Sequence, residues 1–293
     1  MDTKIVRYIL CRMLGVEAAL LLVPVLVAVI YQEKCGIVFL IPIVILCLLF
    51  WVVGRKRPEH GQIYGKEGMV IVALAWILWS LFGAMPFTLS GYIPSYVDAF
   101  FETVSGFTTT GSSIIPDVEV LPHCLLFWRS FTHWIGGMGV LVFVLVVTSL
   151  DRKNSMHLMR AEVPGPEKDK LVPKAMSTAR ILYGMYLTLT VIEMVFLVIG
   201  GMNLFDSMIF SFGSAGTGGF SNYADSVAHF NSAYIDGVIT VFCALFGVNF
   251  ALFYFMILGD FKSILKNEEL RTYILLIAGA TAAIMLNIHS LSL

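Results

Sequence analysis

Two short runs of threonine and glycine are the residues of this sequence best suited to chemistry. One is Thr108-Thr-Thr-Gly-Ser-Ser113 and the other is Gly216-Thr-Gly-Gly-Phe-Ser221. Glycine adopts backbone angles that a side chain penalises, so successive carbonyl oxygens can point in one direction. Carbonyl oxygens arranged in this way can replace the hydration shell of a small cation. We therefore interpret both runs as cation-binding turns, in which threonine hydroxyls add ligands or anchor the backbone.

A phosphate-binding loop and simple helix packing are the alternatives for these glycines. The run at Gly216 is not followed by Gly-Lys-Ser/Thr and no strand pattern precedes it, which disfavours a phosphate loop. Packing glycines are expected inside helices, where Gly136, Gly137 and Gly139 occur. The sequence contains neither a nucleophile with a nearby base nor a His-Glu-x-x-His motif. We therefore predict that the chain is not an enzyme, and it lacks features typical of nucleic-acid binding.

The composition places these turns in a membrane protein. Hydrophobic residues make up 58% of the 293 residues and charged residues 13%, about half the usual density of a soluble domain. The mean hydropathy is +0.85. A spanning helix needs about 20 mostly apolar residues, which predicts an all-α polytopic membrane protein. The predicted spans are Ile9–Ile30, Ile37–Val53, Gly68–Phe87, Leu121–Leu150, Ser177–Gly200, Ala233–Leu258 and Thr272–Leu291.

Lysine and arginine orient the spans. Almost all of them precede the first span or fall in every second connection after it, and basic connections remain cytoplasmic. The N-terminus is therefore predicted to be cytoplasmic, in a multi-pass membrane protein. Acidic residues gather in the outward connections, where they either attract cations to an opening or merely mark where basic residues are excluded. These are Glu33, Asp98, Glu102, Asp117, Glu119, Asp206, Asp225 and Asp236.

Two outward connections contain a short apolar helix before each turn. The segments Tyr96–Phe107 and Leu204–Ala215 are too short to cross a membrane and too apolar for a solvated loop, which favours re-entrant segments. A shift of 108 residues aligns one connection with the other without a gap, and it also aligns the spans that follow. One shared offset indicates a duplicated unit of span, short helix, turn and span. The aligned pairs are Asp98 with Asp206, Thr109 with Thr217, Gly111 with Gly219, Ser113 with Ser221 and Asp117 with Asp225.

The sequence resembles the Trk/Ktr/HKT superfamily of potassium transporters, and is most similar to its bacterial TrkH/TrkG membrane subunits. The resemblance extends over essentially the whole chain. Its motifs are the runs from Glu102 to Ser113, from Trp128 to Gly139, from Arg160 to Pro166 and from Thr217 to Ser221.

This resemblance implies four membrane–pore–membrane units around one pore, each with a filter turn. It also implies a homodimer in the lipid of the bacterial cytoplasmic (inner) membrane and a cytoplasmic nucleotide-binding regulatory subunit of the TrkA type. The transported ion is implied to be potassium, with no organic cofactor. The implied filter residues are Thr108, Thr109, Thr110, Gly111 and Ser112 in the first turn, and Gly216, Thr217, Gly218, Gly219 and Phe220 in the second. Potassium is expected at Thr109, Thr110, Gly111, Thr217, Gly218 and Gly219.

Only two of the family's four units fit in this chain. A third short helix would begin beyond Leu293, and two turns cannot surround an ion. Either the chain is an N-terminal fragment, which the unpaired seventh span favours, or two copies supply four turns. A non-conducting assembly or regulatory subunit is the alternative function. The predicted segments are a two-helix membrane segment at 1–66, a first repeat at 67–150, a cytoplasmic connection at 151–176, a second repeat at 177–262 and an incomplete third repeat at 263–293.

Several ionisable residues within the spans have two interpretations. Arg129 is either an electrostatic element behind the first turn or an interfacial residue paired with Glu102 or Glu119. Glu17 and Glu193 require a partner or a proton. We interpret His123 and His133 as structural because neither has metal-ligating companions, and the five cysteines, without a Cys-x-x-Cys pair, as apolar fillers.

Overall fold

Every regular element in the described part of the chain is helical, which confirms the all-α prediction. The computed structural model describes residues 3–55, 65–139, 175–257 and 259–291. The α-helices are α1 Thr3–Leu20, α2 Leu22–Ile30, α3 Leu40–Leu49, α4 Gly65–Leu89, α5 Tyr96–Phe107 and α6 His123–Gly137, then α7 Ala175–Ile199, α8 Leu204–Ala215, α9 Ala233–Phe246, α10 Phe250–Ile257, α11 Phe261–Lys266 and α12 Glu268–Leu291. Short 3₁₀ helices cover Lys34–Phe39, Val118–Val120 and Ser226–Phe230, and a π-helix covers Phe50–Gly54.

Five helical stretches in the described ranges are long and apolar enough to cross a membrane. They match the first, second, third, fifth and seventh predicted spans, and their bounds are Thr3–Ile30, Lys34–Gly54, Lys66–Leu89, Ile181–Ile199 and Glu268–Ile288. The sixth predicted span is not one continuous helix, because α9 ends at Phe246 and α10 begins at Phe250. The two count as a sixth span only if they are taken together as a broken one.

The fourth predicted span begins as α6, and its part from residue 140 onward lies outside the described residues. Most of the predicted cytoplasmic connection at 151–176, with the motif from Arg160 to Pro166, lies outside them as well. The helix of the first span is interrupted between α1 and α2 at Leu21. Proline has no amide hydrogen, so Pro24 cannot donate to the carbonyl of Leu20 four residues earlier, and the helical ladder is interrupted there.

The two short helices α5 and α8 have the bounds expected from the sequence, and their N-termini are built alike. The Ser95 side chain accepts a hydrogen bond from the Asp98 amide (3.4 Å), and the Asn203 side chain accepts one from the Asp206 amide (2.8 Å). Serine and asparagine are favoured caps, and an acidic residue in the first turn suits the positive end of a helix. Each cap therefore starts a 12-residue helix at equivalent positions of the 108-residue register.

The described residues pack as two units, Met1–Cys243 and Ala244–Leu293. In the first unit, α5 lies between α4 and α6, and α8 lies between α6 and α7. Trp79 and Trp128 are fully buried there, each against the edge or face of Phe107, and the indole nitrogen of Trp128 donates to the Gly83 carbonyl (2.9 Å). In the second unit, α11 packs against α10 and α12.

Candidate functional site: two paired turns on one helix

The first turn ends α5 with a Schellman cap. The amide of Thr109 donates to the Gly106 carbonyl (3.0 Å), and the amide of Thr110 donates to the Ser105 carbonyl (2.9 Å). In this motif the residue after the cap has a left-handed backbone, and it is usually glycine. Here it is Thr109, whose φ is 55°. The cap ends α5 within one residue and begins the predicted ion-binding turn.

The second turn repeats the two cap hydrogen bonds of the first and its left-handed threonine. The amide of Thr217 donates to the Ser214 carbonyl (2.9 Å), and the amide of Gly218 donates to the Gly213 carbonyl (3.3 Å). Thr217 has a φ of 58°. All four residues are 108 positions after their counterparts in the first turn. The register found in the side chains therefore also aligns hydrogen bonds and backbone angles.

Left-handed threonine is unusual, and its occurrence in both turns is informative. A β-branched residue with positive φ is a genuine backbone outlier. Strain of this kind costs on the order of 1–3 kcal/mol and concentrates at functional sites. Two residues further on, Gly111 and Gly219 also have positive φ, at 78° and 77°. Each turn thus alternates left-handed residues, which redirects its carbonyl groups over a few residues.

The two turns touch each other. A Cβ atom placed on Gly111 would lie 2.0 Å from the carbonyl oxygen of Gly218, and one placed on Gly218 would lie 2.6 Å from that of Thr109. Carbonyl oxygens from both turns therefore occupy the contact. A cavity of about 220 Å³ adjoins it and is lined by residues of both segments, among them Gly111, Ser113, Gly219 and Ser221.

The remaining predicted site residues surround this contact. The hydroxyl of Thr108 donates to the Val104 carbonyl (2.7 Å) and lies 2.8 Å from the Thr110 hydroxyl. Ser112 is exposed. Gly216 is the C-terminal cap of α8, and Phe220 is buried.

The helix α6 holds both turns because its glycines let it approach both short helices. A Cβ atom on Gly136 would lie 2.1 Å from the carbonyl oxygen of Phe107, the last residue of α5. One on Gly137 would lie 2.9 Å from the carbonyl oxygen of Ala215, the last residue of α8. Glycine at both positions permits a backbone approach that any side chain would block. The packing role predicted for these two glycines is confirmed.

Arg129 on α6 links the two turns. It is buried, its Nε donates to Glu102 Oε1 (2.6 Å) and its Nη1 donates to the carbonyl of Ser221 (2.8 Å). Its Cζ also lies 3.6 Å from the centroid of the Phe220 ring, within the range of a cation–π contact. Of the two partners expected for Arg129, Glu102 is confirmed, whereas Glu119 instead accepts from the Ala224 amide (3.1 Å).

A buried carboxylate secures the segment that follows the first turn. Glu102 on α5 accepts from the hydroxyl of Ser113 (3.0 Å) and from the amide of Ile114 (2.9 Å). With Arg129 as the third donor, the carboxylate of Glu102 accepts three hydrogen bonds. Glu102 therefore acts as an internal anchor, and not as a free charge at an outer opening.

Asp206 does the same for the second turn. It accepts from Asn222 Nδ2 (2.7 Å), from the hydroxyl of Tyr223 (2.9 Å) and from Asn203 Nδ2 (2.7 Å). Burial, and then the hydrogen bond to Asp206, raise the pKa of Tyr223 to about 12. Tyr223 is therefore a neutral donor throughout the physiological range, and Asp206 is likewise an anchor of its turn.

Glu33, which follows α2, caps the N-terminus of α6. Its carboxylate accepts from the amides of His123 (2.7 Å) and Cys124 (3.0 Å), and lies 2.9 Å from His123 Nδ1. Burial raises the pKa of this carboxyl, but the hydrogen bonds from Cys124 and His123 outweigh burial and hold its pKa below the ordinary value. The imidazole of His123 also stacks on Tyr31 (4.0 Å between centroids), so its structural interpretation is confirmed.

The acidic residues of the outward connections therefore divide by environment. Glu102 and Asp206 are buried, and Glu33 and Asp98 are half-buried. Four remain exposed, namely Asp117, Glu119, Asp225 and Asp236. The two glutamates noted within spans, Glu17 and Glu193, are fully buried. No group of three or more His, Cys, Asp or Glu residues in the described part of the chain is arranged to hold a metal ion.

The sequence alone did not reveal how α6 organises the site. Arg129, His133, Gly136 and Gly137 are spaced at i, i+4, i+7 and i+8, which places them on one helical face. In the structure this face contacts both turns. The spacing was available in the sequence, but their partners lie up to 92 residues away in the chain.

These helices define an all-helical integral membrane protein, and the comparisons with known proteins agree. Residues 36–292 match the pattern of the TrkH family, described as a cation transport protein. The chain belongs to the TrkH family. It is 35% identical over 261 residues to the Trk system potassium uptake protein TrkH of Escherichia coli (strain K12), covering 87% of this chain and 53% of that protein.

Other relatives show the same coverage. The Trk system potassium uptake protein TrkG of Escherichia coli (strain K12) is 35% identical over 263 residues, covering 88% of this chain and 54% of TrkG. The crystal structure of the potassium transporter TrkH from Vibrio parahaemolyticus matches with a TM-score of 0.79 and 30% identity, covering 94% of this chain and 56% of that one. The chain spans about half the length of the curated relatives it matches. These relatives are named for transport, in agreement with the prediction that the chain is not an enzyme.

Proposed function

We propose that this chain contributes half of the ion path of a Trk-type potassium uptake system in the bacterial cytoplasmic membrane. The observation that carries the proposal is the pair of turns, which share one backbone geometry and meet through their carbonyl groups. Membership of a family whose relatives are named potassium uptake proteins supplies the ion. Potassium would be coordinated at Thr109, Thr110, Gly111, Thr217, Gly218 and Gly219.

Carbonyl coordination suits the charges that surround the turns. The buried carboxylates Glu102 and Asp206 already accept three donors each, so they add little free negative charge to the contact between the turns. The C-termini of α5 and α8 carry the negative ends of the helix dipoles, which favours a cation at the turns. A filter of neutral oxygens binds a weakly hydrated ion without holding it too tightly to leave.

Two turns leave the filter incomplete, so the remaining oxygens come from other membrane segments. We propose that further repeats of the TrkH type, or a second copy of this chain, provide them. The homodimer, the nucleotide-binding regulatory subunit, the cytoplasmic N-terminus and the five predicted segments from 1–66 to 263–293 belong to this proposal. The potential, negative inside, would drive uptake by about 2.3 kcal/mol per charge per 100 mV.

A non-conducting assembly subunit is the second candidate, and one observation favours it. The most apolar stretch of α12 has none of its residues buried within the chain. Such a helix must face lipid or another membrane segment. In the second candidate function, this chain therefore acts only in assembly with other membrane chains.

Potassium-limited growth of uptake-deficient bacteria separates the two functions. The cells express this chain alone, or together with the second half of a TrkH relative. Growth in either arrangement is expected from the proposal, and rescue by neither would refute transport by this polypeptide. In the rescuing arrangement, Gly111→Ser and Gly219→Ser are expected to weaken selectivity for potassium over sodium. Gly184→Ser is the control, because Gly184 lies on α7 with open space around it. Unchanged selectivity in both turn variants would refute the filter assignment.

A further inference from the structure

A buried histidine without a hydrogen-bond partner for its ring in the described part of the chain packs behind the second turn. His133 on α6 is fully buried, and neither of its ring nitrogens has a hydrogen-bond partner among the described residues. A Cβ atom on Gly216 would lie 2.2 Å from His133 Cδ2, and one on Gly218 would lie 2.1 Å from His133 Nε2. The centroid of the imidazole is 4.6 Å from that of the Phe220 ring. The imidazole thus fills the space in which side chains at 216 and 218 would stand.

This contact explains a difference between two turns that share one backbone. The counterparts of Gly216 and Gly218 in the first turn are Thr108 and Thr110, which are exposed. Neither glycine is required by its backbone angle, since Gly216 has a φ of −78° and Gly218 is not among the residues with positive φ. The ring of His133 is the nearest group that a side chain at either position would meet, and a side chain at 218 would also lie 2.6 Å from the Thr109 carbonyl oxygen.

We propose that His133 is a positioning residue that sets the place of the second turn, and with it the cation selectivity of the pore. The inference rests on the proposed function, because it assumes that the carbonyl groups of Thr217 and Gly218 face the ion. A rigid ring against two Cα atoms prevents the turn from moving toward α6. Well-packed interiors transmit such constraints, and a displacement of the turn changes the distances among its oxygens. A buried histidine that only completed the core would affect protein amount but not selectivity.

A size exchange between the ring and the turn tests this positioning. Gly216→Ala is expected to raise the KM for potassium about tenfold, because its methyl group overlaps the imidazole. His133→Ala is expected to lower potassium over sodium selectivity by a few-fold as the turn relaxes into the vacated space. The double variant is expected to recover about threefold of the loss in Gly216→Ala. Recovery remains partial because the new methyl group would still lie 2.9 Å from the His133 carbonyl oxygen.

Gly219→Ala is the matched control. A Cβ atom there meets nothing within 4 Å, but the φ of 77° strains any side chain. Its defect therefore comes from the backbone, and His133→Ala is not expected to relieve it. His133→Phe is expected to keep most of the selectivity because it retains a ring of similar size.

Uptake is measured in the rescuing arrangement, with KM and maximal rate for potassium and sodium obtained separately and normalised to membrane-inserted protein. If Gly219→Ala leaves uptake and selectivity unchanged, the filter assignment itself fails. If Gly219→Ala impairs selectivity but His133→Ala does not relieve Gly216→Ala, the positioning role of His133 is overturned. Loss of selectivity in His133→Phe as large as in His133→Ala would also overturn it, because the ring would then not be what seats the turn.

Discussion

The ion pair between Arg129 and Glu102 gives the sharpest prediction about what holds the two turns in place. Both side chains are almost completely buried, at 4% and 0% exposure. Removing one partner of a buried ion pair leaves an uncompensated charge and costs about 3–5 kcal/mol. We therefore predict that Arg129→Gln and Glu102→Gln each destabilise the protein by about this amount.

The remaining contacts decide what each variant loses. In Glu102→Gln the guanidinium keeps the Ser221 carbonyl and the face of Phe220, but its positive charge has no counter-charge. In Arg129→Gln the carboxylate keeps the Ser113 hydroxyl and the Ile114 amide. Two hydrogen bonds offset less of a buried charge than an ion pair does.

The double variant shows whether the pair acts as one element. With both charges removed, no buried charge remains unpaired, so we expect the double variant to lose at least about 2 kcal/mol less than the sum of the single variants. The assay is the thermal unfolding midpoint in detergent, measured with potassium over sodium selectivity. Glu119→Gln is the control, since Glu119 is exposed and its single bond to the Ala224 amide contributes at most about 1 kcal/mol.

Additive losses in the double variant would refute the coupling. So would single variants that unfold at the temperature of the parent protein. Selectivity that changes in Glu102→Gln without any loss of stability would show that the charge acts on the ion directly, and that Glu102 is not an anchor.

Three further predictions follow from the turns and the cap of α6. Gly111→Ala is expected to impair uptake more than Gly219→Ala. Only the methyl group at position 111 would collide with a backbone oxygen, which is that of Gly218 at 2.0 Å. Equal defects of the two variants in an uptake assay would contradict the contact between the turns. Thr109→Gly is expected to lower selectivity but to leave the unfolding midpoint unchanged, or to raise it by the equivalent of up to about 1 kcal/mol. Removing the strain of a left-handed β-branched residue offsets the greater chain entropy that glycine loses on folding. Thr110→Gly is the control, and because Thr110 has no positive φ, this variant should only destabilise the protein. Glu33→Gln is expected to cost about 0.5–2 kcal/mol at neutral pH, as loss of a helix cap does. The pKa of Glu33 is lower in the folded state than in the unfolded state. Its contribution to stability is therefore complete above the unfolded carboxyl pKa and is lost as the pH falls through the folded pKa. The unfolding midpoints of the parent and the variant should converge below about pH 4.

Local rules made the helices and the turns predictable from the sequence. The bounds of α5 and α8 follow from a capping residue before each helix and a glycine-containing turn after it, and these are short-range features. The sixth span was less predictable, because its apolar run continues through the break between Phe246 and Phe250. Hydropathy measures which residues tolerate lipid, and it carries no information on where an apolar helix stops.

The anchors of the site were harder to predict because their partners are distant in the chain. Asp206 and Glu102 could be recognised as acidic residues near the turns, but their spacing equally suits an acidic mouth. The packing is what shows that both carboxylates accept hydrogen bonds. Glu102 on α5 meets donors from α6 and from the segment after the first turn, and Asp206 on α8 meets donors from the segment after the second turn. The same holds for His133, whose neighbours Gly216 and Gly218 are more than 80 positions away.

The anchors also constrain how such a filter can select its ion. Neither Glu102 nor Asp206 is free to bind a cation, so the proposed filter would select its ion through the spacing of neutral oxygens on the two turns. That spacing is set by α6, through the glycine contacts at Phe107 and Ala215, the Arg129 bridge and the ring of His133. One helix therefore fixes both turns relative to each other. A substitution on α6 that never meets the ion should consequently change selectivity, whereas substitution of an exposed acidic residue such as Asp236 should change only the rate at which ions arrive.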